Sequence, residues 1–295
     1  MQKILMPALV VGILALGLYI FIIPYQFVIK FKAKTTPGDI IQTIRLWDRK
    51  YMNYTVVKID SVNKLYQRIK LDKSDYFFTW RFELDSDSIT HVRVEVSEPS
   101  NSIKNKLLVP FTKTKMEEDS EILVKEFYDV LNSHLEITKV TIEGENENIN
   151  SFCACRNLKT AQIDKAQGMM KDYDVLTSFV SEFDLTLDGP PIVRVEKWNH
   201  EKGTLEFDFC FPIVQTDSLP KVKEIDYKLI KKTKALKAIY YGNYITSDRA
   251  WYALVNFANR NNYKVDGLPI EYFHSNPTLG ANQQDWKAEV YLPIE

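Results

Sequence analysis

Two carboxylates stand where a strand would enclose them. In Ala288-Glu289-Val290-Tyr291-Leu292, strand alternation puts Ala288, Val290 and Leu292 on one face and Glu289 with Tyr291 on the other. Asp208 sits in the same way between Phe207 and Phe209. A carboxyl group among aromatic side chains has two chemical uses. Burial favours its protonated form, and an incoming organic cation restores the charge through Coulomb attraction in a weakly screened site, with cation-π contacts from nearby rings. With a raised pKa the same group acts as a general acid or base and, with a water and an aromatic hydroxyl, could open an electrophilic ligand. Tyr240, Tyr244, Trp251, Tyr272, Trp286 and Tyr291 are the candidate walls of such a pocket, with Tyr240 or Trp286 as the second group if the site is catalytic.

Other chemistries find little footing. The chain has no G-x-S-x-G elbow, H-E-x-x-H pair, P-loop or G-x-G-x-x-G turn. His91, His134, His200 and His274 are scattered, and Glu271 with His274 falls on a strand-to-loop passage rather than one helical face, so no metal and no cofactor is expected. Of the three cysteines, Cys153 and Cys155 share a strand face and Cys210 stands apart. They read as buried free thiols. Asn53-Tyr54-Thr55 is a formal glycosylation sequon, which carries little weight alone. Acidic and basic residues balance in each half of the chain, which argues against nucleic acid as a partner. The lysine-rich stretch 221–237 is interrupted by Glu224 and Asp226 and reads as a solvated connection with a lysine-protected strand edge, or else as a patch contacting anionic lipid.

The elements that must position these residues fall into segments. The 295 residues suit about two domains. Residues 4–23 form an uncharged run long enough for a transmembrane helix, without a small-x-small cleavage site. This predicts a single-pass N-terminal anchor over residues 1–23, with the side of the membrane left open. Residues 24–144 read as a strand, a helical stretch with Ile40, Ile41, Ile44 and Leu46, and four strands. A long helix from about Lys115 to Leu135 follows, opened by Thr114 and Glu117 at capping-box spacing. Residues 145–150 are polar and acidic and read as a linker.

Residues 151–295 contain an internal repeat. Asp188-Gly189-Pro190-Pro191-Ile192 recurs 78 residues later as Asp266-Gly267-Leu268-Pro269-Ile270, and Phe209-Cys210-Phe211-Pro212-Ile213 recurs 81 residues later as Val290-Tyr291-Leu292-Pro293-Ile294. Helical stretches, Val175 to Phe183 and Arg249 to Arg260, precede each Gly-Pro element. Each copy thus reads strand-helix-strand-strand, and two copies predict a closed pseudo-twofold domain with Asp208 and Glu289 at related positions.

The second copy, with Ala238-Ile239-Tyr240-Tyr241-Gly242-Asn243-Tyr244, Ala250-Trp251-Tyr252, Pro269-Ile270-Glu271-Tyr272, Asn276-Pro277 and Trp286 through Ile294, resembles the GyrI-like small-molecule-binding (effector-binding) domain. That resemblance implies binding of lipophilic cations and places Glu289 at the base of the ligand pocket. It also admits hydrolysis of reactive cyclopropane-bearing compounds. The element order of residues 24–144 resembles the START-like (SRPBCC) helix-grip fold, which implies an apolar cargo.

The expectation is an α+β protein: an N-terminal transmembrane helix, a START-like domain, then a GyrI-like pseudo-twofold domain. It would be membrane-anchored and bind a small lipophilic, cationic molecule around Glu289. The alternatives are a hydrolase using the same carboxylate and an envelope scaffold or partner-binding protein.

Overall fold

A computed structural model describes the chain except residues 1–9, 13, 15, 16, 51–53, 62, 72, 87, 88 and 278–281. Among the described residues no helix is long and apolar enough to cross a membrane, which overturns the expected single-pass anchor over residues 4–23. Part of that stretch lies outside the described residues. Its end is docked on the protein, where the buried Lys106 ammonium donates to the Ile23 carbonyl at 2.6 Å.

The first unit holds β1 (Phe27–Ala33), α1 (Pro37–Lys50), β2 (Tyr54–Ser61), β3 (Lys64–Leu71), β4 (Ser74–Ser86), β5 (Ile89–Ser97), α2 (Ser102–Leu108) and α3 (Lys115–Glu136). Its antiparallel sheet has the order β1-β5-β4-β3-β2. Along β4 the side chains of Tyr76, Phe78, Trp80 and Phe82 are buried, the period of two that fixes which face meets the helices. Ile40, Ile44 and Trp47 of α1 and Leu123, Phe127 and Leu131 of α3 complete the core, with Trp80 edge-on to Phe127 at 5.0 Å. The capping box is present: Thr114 Oγ1 accepts from the Glu117 amide, and the Glu117 carboxylate accepts from the Thr114 amide at 2.7 Å.

The second unit holds β6 (Lys139–Glu147), β7 (Ser151–Ala161), α4 (Lys165–Glu182), β8 (Ile192–Asn199), β9 (Thr204–Pro212), β10 (Asp226–Ile230), β11 (Lys234–Tyr241), α5 (Arg249–Arg260), β12 (Ile270–Phe273) and β13 (Lys287–Pro293). Eight strands form one sheet in the order β10-β7-β9-β8-β12-β13-β11-β6. Of residues 145–150, expected as a linker, the first three belong to β6 instead. β6 pairs along β11, and Glu143, Glu145 and Glu147 meet Lys237, Lys234 and Lys232, so opposite charges facing each other hold an edge strand in place.

The repeat is visible as geometry. β7-α4-β8-β9 and β11-α5-β12-β13 have the same order, and the two Asp-Gly turns close alike, Asp188 N on Pro212 O at 2.9 Å and Asp266 N on Pro293 O at 3.0 Å. The copies join where β8 pairs with β12, with Ile270 opposite Arg194, Glu271 opposite Val193 and Tyr272 opposite Ile192. Since Ile192 and Ile270 are equivalent, the twofold axis passes through the Val193–Glu271 pair.

α4 begins well before the predicted Val175. Gly168 permits this, because a Cβ there would come within 3.0 Å of the Leu158 side chain on β7. α4 and α5 cover one face of the sheet over a core that includes Phe207, Phe209, Val290 and Leu292. The opposite face carries a smaller cluster with Cys153, Ile192, Ile270, Tyr272 and Tyr291. There Cys155 and Cys210, directly opposite on β7 and β9, form a disulfide and only Cys153 stays free, a correction to the three-thiol reading.

Candidate functional site

Glu289 lies on the face that alternation assigns it, and that is the face without the helices. Ala288, Val290 and Leu292 enter the helix-side core, while Glu289 points away from it. Its carboxylate is fully engaged. Lys287 Nζ donates at 2.8 Å and Tyr291 OH at 3.0 Å, while Lys237 Nζ stands 3.4 Å away and His274 3.7 Å away. Partial burial pushes its pKa up, but the Lys287 and Tyr291 hydrogen bonds and the lysine charges outweigh this and hold it at about 2. A carboxylate so held is neither an empty seat for a cation nor a proton donor at neutral pH.

Asp208 shares that face and that condition. It is wholly buried, accepts from Lys228 Nζ at 2.7 Å and Asn157 Nδ2 at 3.0 Å, and lies 3.7 Å from Arg194. Two strands separate β9 from β13, so the two acids stand on the order of 14 Å apart at strand spacing.

The six candidate aromatics divide between the faces. Tyr240, Tyr244, Trp251 and Trp286 lie in the helix-side core, whereas Tyr272 and Tyr291 pack on each other at 5.4 Å on Glu289's face. The sheet stands between the two groups, so no single cavity gathers them.

The aromatic and carboxylate chemistry expected at Glu289 occurs instead at Glu271, one strand over and on the helix side. Lys165, the first residue of α4, sends its ammonium to Glu271 Oε2 at 2.6 Å and Ser247 Oγ at 2.7 Å, and 4.5 Å over the Trp251 ring. Both charged side chains are at most 1% exposed. Glu271 Oε1 has no hydrogen-bond partner among the described residues. The cation on this carboxylate is therefore the chain's own lysine. Beside it, burial raises the pKa of Asp248 to about 6 against the opposing charge of Lys165 and the hydrogen bond from Gln162.

From Asp248 a polar chain leads outward to the junction of the two units. Gln162 Nε2 donates to Asp248 at 2.6 Å, and its Oε1 accepts from Trp198 Nε1 at 2.8 Å and from Gln42 Nε2 at 3.0 Å. Gln42 also donates to Tyr252 OH at 2.9 Å. This chain floors a cleft of about 580 Å³ between α1 and β2 on one side and the β8–β9 turn with α5 on the other. Trp198 and His200 form one wall, their rings 3.9 Å apart, with Tyr252 5.1 Å from Trp198. Gln42 Oε1, buried in the floor, has no partner among the described residues.

Two glycines make the cleft possible. A Cβ on Gly38 would stand 2.1 Å from the Tyr252 ring, and one on Gly203, whose φ of +63° already favours glycine, would strike the Arg45 guanidinium. Arg45 in turn donates to the His200 carbonyl at 2.9 Å. Burial, with the charge of Arg45, pushes the His200 pKa down and so favours the uncharged imidazole. Trp198, His200 and Gln42 escaped the sequence reading, because only folding brings α1 against the β8–β9 turn. The Trp198-Asn199-His200 run before a turn was the one visible signal.

Residues 173–295 match the GyrI-like small molecule binding domain. No curated protein matches the chain. Similar solved structures include the EcmrR C-terminal domain, 17% identical over 54% of this chain and 98% of that one with a TM-score of 0.41. SAV2435 bound to tetraphenylphosphonium is 11% identical over 52% and 94%, with a TM-score of 0.38. A hydrolase from Listeria innocua is 13% identical over 54% and 91%, with a TM-score of 0.32. The matched family segment begins at residue 173 and leaves the START-like resemblance of the first unit unsupported.

Proposed function

We propose that the protein binds a small, uncharged, planar molecule bearing an N–H or O–H donor in the cleft between its two units. The observation that carries this is Gln42 Oε1, a buried acceptor without a partner among the described residues, in the floor of a cleft walled by Trp198, His200 and Tyr252. An unpaired buried acceptor is costly, and a ligand donor there recovers the hydrogen bond. Flat rings stack on indole and imidazole faces. Burial favours an uncharged His200 and Arg45 lies behind it, so nothing in that wall calls for a cation. Two carboxylates also line the cleft, but Asp60 faces Lys64 at 3.5 Å and Glu201 lies beside Arg45, which donates to its carbonyl at 3.4 Å, so these charges are offset without a ligand cation. The small-molecule-binding family of residues 173–295 agrees with the role, although this cleft also uses the first unit.

Titration of a panel of planar heteroaromatic compounds, read by tryptophan fluorescence and calorimetry, tests the reading. Gln42→Leu should weaken a donor-bearing ligand about tenfold and leave its N-methylated analogue unaffected. Trp198→Ala should abolish binding of both. Full binding to the Trp198→Ala protein places the ligand elsewhere and refutes the assignment.

A further inference from the structure

A second and larger cleft, of about 1030 Å³, opens between the units past the other side of the α1–α5 contact. Its walls are apolar over much of their extent, with Tyr128 and Leu135 from α3, Val140 and Ile142 from β6, and Phe257 from α5. One end is different. Arg249 lines it and is only 5% exposed. Its Nε faces Asp39 at 2.9 Å and its Nη1 donates to Thr138 Oγ1 at 2.8 Å, whereas Nη2 is buried without a partner among the described residues. Thr36 Oγ1, in the same lining, is also buried and unpartnered among the described residues. Lys32 and Lys34 stand exposed at the rim, and no ion pair holds either among the described residues. Three cations against Asp39 and Glu136 leave the lining positive.

We propose that this cleft is a binding site for an apolar monocarboxylate, its head on Arg249 Nη2 and Thr36 Oγ1 and its body along Leu135, Val140, Ile142 and Phe257. A guanidinium edge with one free N–H pair offers a carboxylate oxygen a charge-assisted hydrogen bond, and the threonine hydroxyl can donate to the second oxygen. Asp39 already neutralises one side of Arg249, so the site takes one negative charge rather than two. The lysines at the rim raise the local concentration of an anion without contacting it.

Binding of 11-(dansylamino)undecanoate to the full chain, read by dansyl fluorescence with the methyl ester as the neutral control, provides the test. The carboxylate should bind at least tenfold more tightly than the ester. Arg249→Met should remove that preference, and Ala253→Trp, which fills the cleft from α5, should abolish binding of both compounds. Because Arg249 is buried and its loss can unfold the chain, the Lys32→Glu/Lys34→Glu protein supplies a measurement at exposed positions. Its carboxylate affinity should fall severalfold, and the loss should shrink in high salt. Equal affinity for acid and ester, or unchanged binding to a folded Ala253→Trp protein, overturns the proposal.

Discussion

Lys165 and Glu271 lie 106 positions apart in the chain and meet at 2.6 Å in the interior of the second unit, both at most 1% exposed. The pair joins the start of α4 in one copy of the repeat to β12 in the other, with the Trp251 face over the ammonium.

Removing either partner strands a buried charge, which costs on the order of 3–5 kcal/mol. Lys165→Met and Glu271→Gln should therefore each lower the thermal midpoint by roughly 10 °C. The Lys165→Met/Glu271→Leu double variant should recover much of the loss. Calorimetry of the set decides it, and a double variant no better than the worse single one would show that the pair is not coupled. Lys165→Ala should in addition be stabilised by millimolar ethylammonium, which the wild-type chain should ignore.

Glu289 and Asp248 should give opposite pH signatures. The folded pKa of Glu289 is depressed to about 2 from an ordinary 4.5, so its contribution to stability is present above about pH 4.5 and disappears as pH falls toward 2. Urea unfolding between pH 2 and 7 should show Glu289→Gln less stable than wild type at pH 7 and equal to it near pH 2. A constant difference across that range would remove the ion-pair account.

Asp248 runs the other way. Its folded pKa is raised to about 6 from 3.8, so the folded state binds the extra proton and stability falls as pH rises between these values. Asp248→Asn retains an acceptor for Gln162 and should be more stable than wild type above pH 6, with the advantage vanishing below pH 3.8. The same urea series reads this out, and an Asn variant less stable at pH 7 contradicts it.

The Cys155–Cys210 bridge closes a separation of 55 residues, for which loop-closure entropy gives about 4 kcal/mol of stabilisation. Unfolding with and without reductant should differ by an amount of that order. Thiol titration of the denatured, unreduced chain should find one reactive cysteine, Cys153. Three would exclude the bridge.

Much of the second unit was legible because the repeat is written in turn residues. Asp188 and Asp266 mark equivalent turns, and Pro212 and Pro293 the strand ends that accept from them. Alternation also put Glu289 opposite Val290 and Leu292 correctly. It could not show which face the helices cover, and so the aromatics were assembled across a sheet that divides them. Glu271 carries the same signal as Glu289, an acid flanked by Ile270 and Tyr272, but its place near His274 reads as a strand-to-loop passage. Its partner Lys165 is too distant in sequence for any local pattern to join them. The cysteines illustrate the same limit. Cys153 and Cys155 do share a face, yet the bridge depends on the β7–β9 register, which puts Cys210 opposite Cys155. At the N-terminus a count of apolar residues predicted an element that the described structure does not support.

The axis through Val193 and Glu271 has an evolutionary consequence. A tandem duplication begins with identical residues at related positions, and on the axis those residues face each other at about 5 Å. Two glutamates there would oppose like charges in a dry interior, and one would be forced to keep its proton. A duplicated lysine would follow each of them, and crowding four charges onto one dry axis costs more than burying one pair. Symmetric descent is thus physically unfavourable at this one pair, and divergence to one acid and one valine lets the axis carry a single buried ion pair.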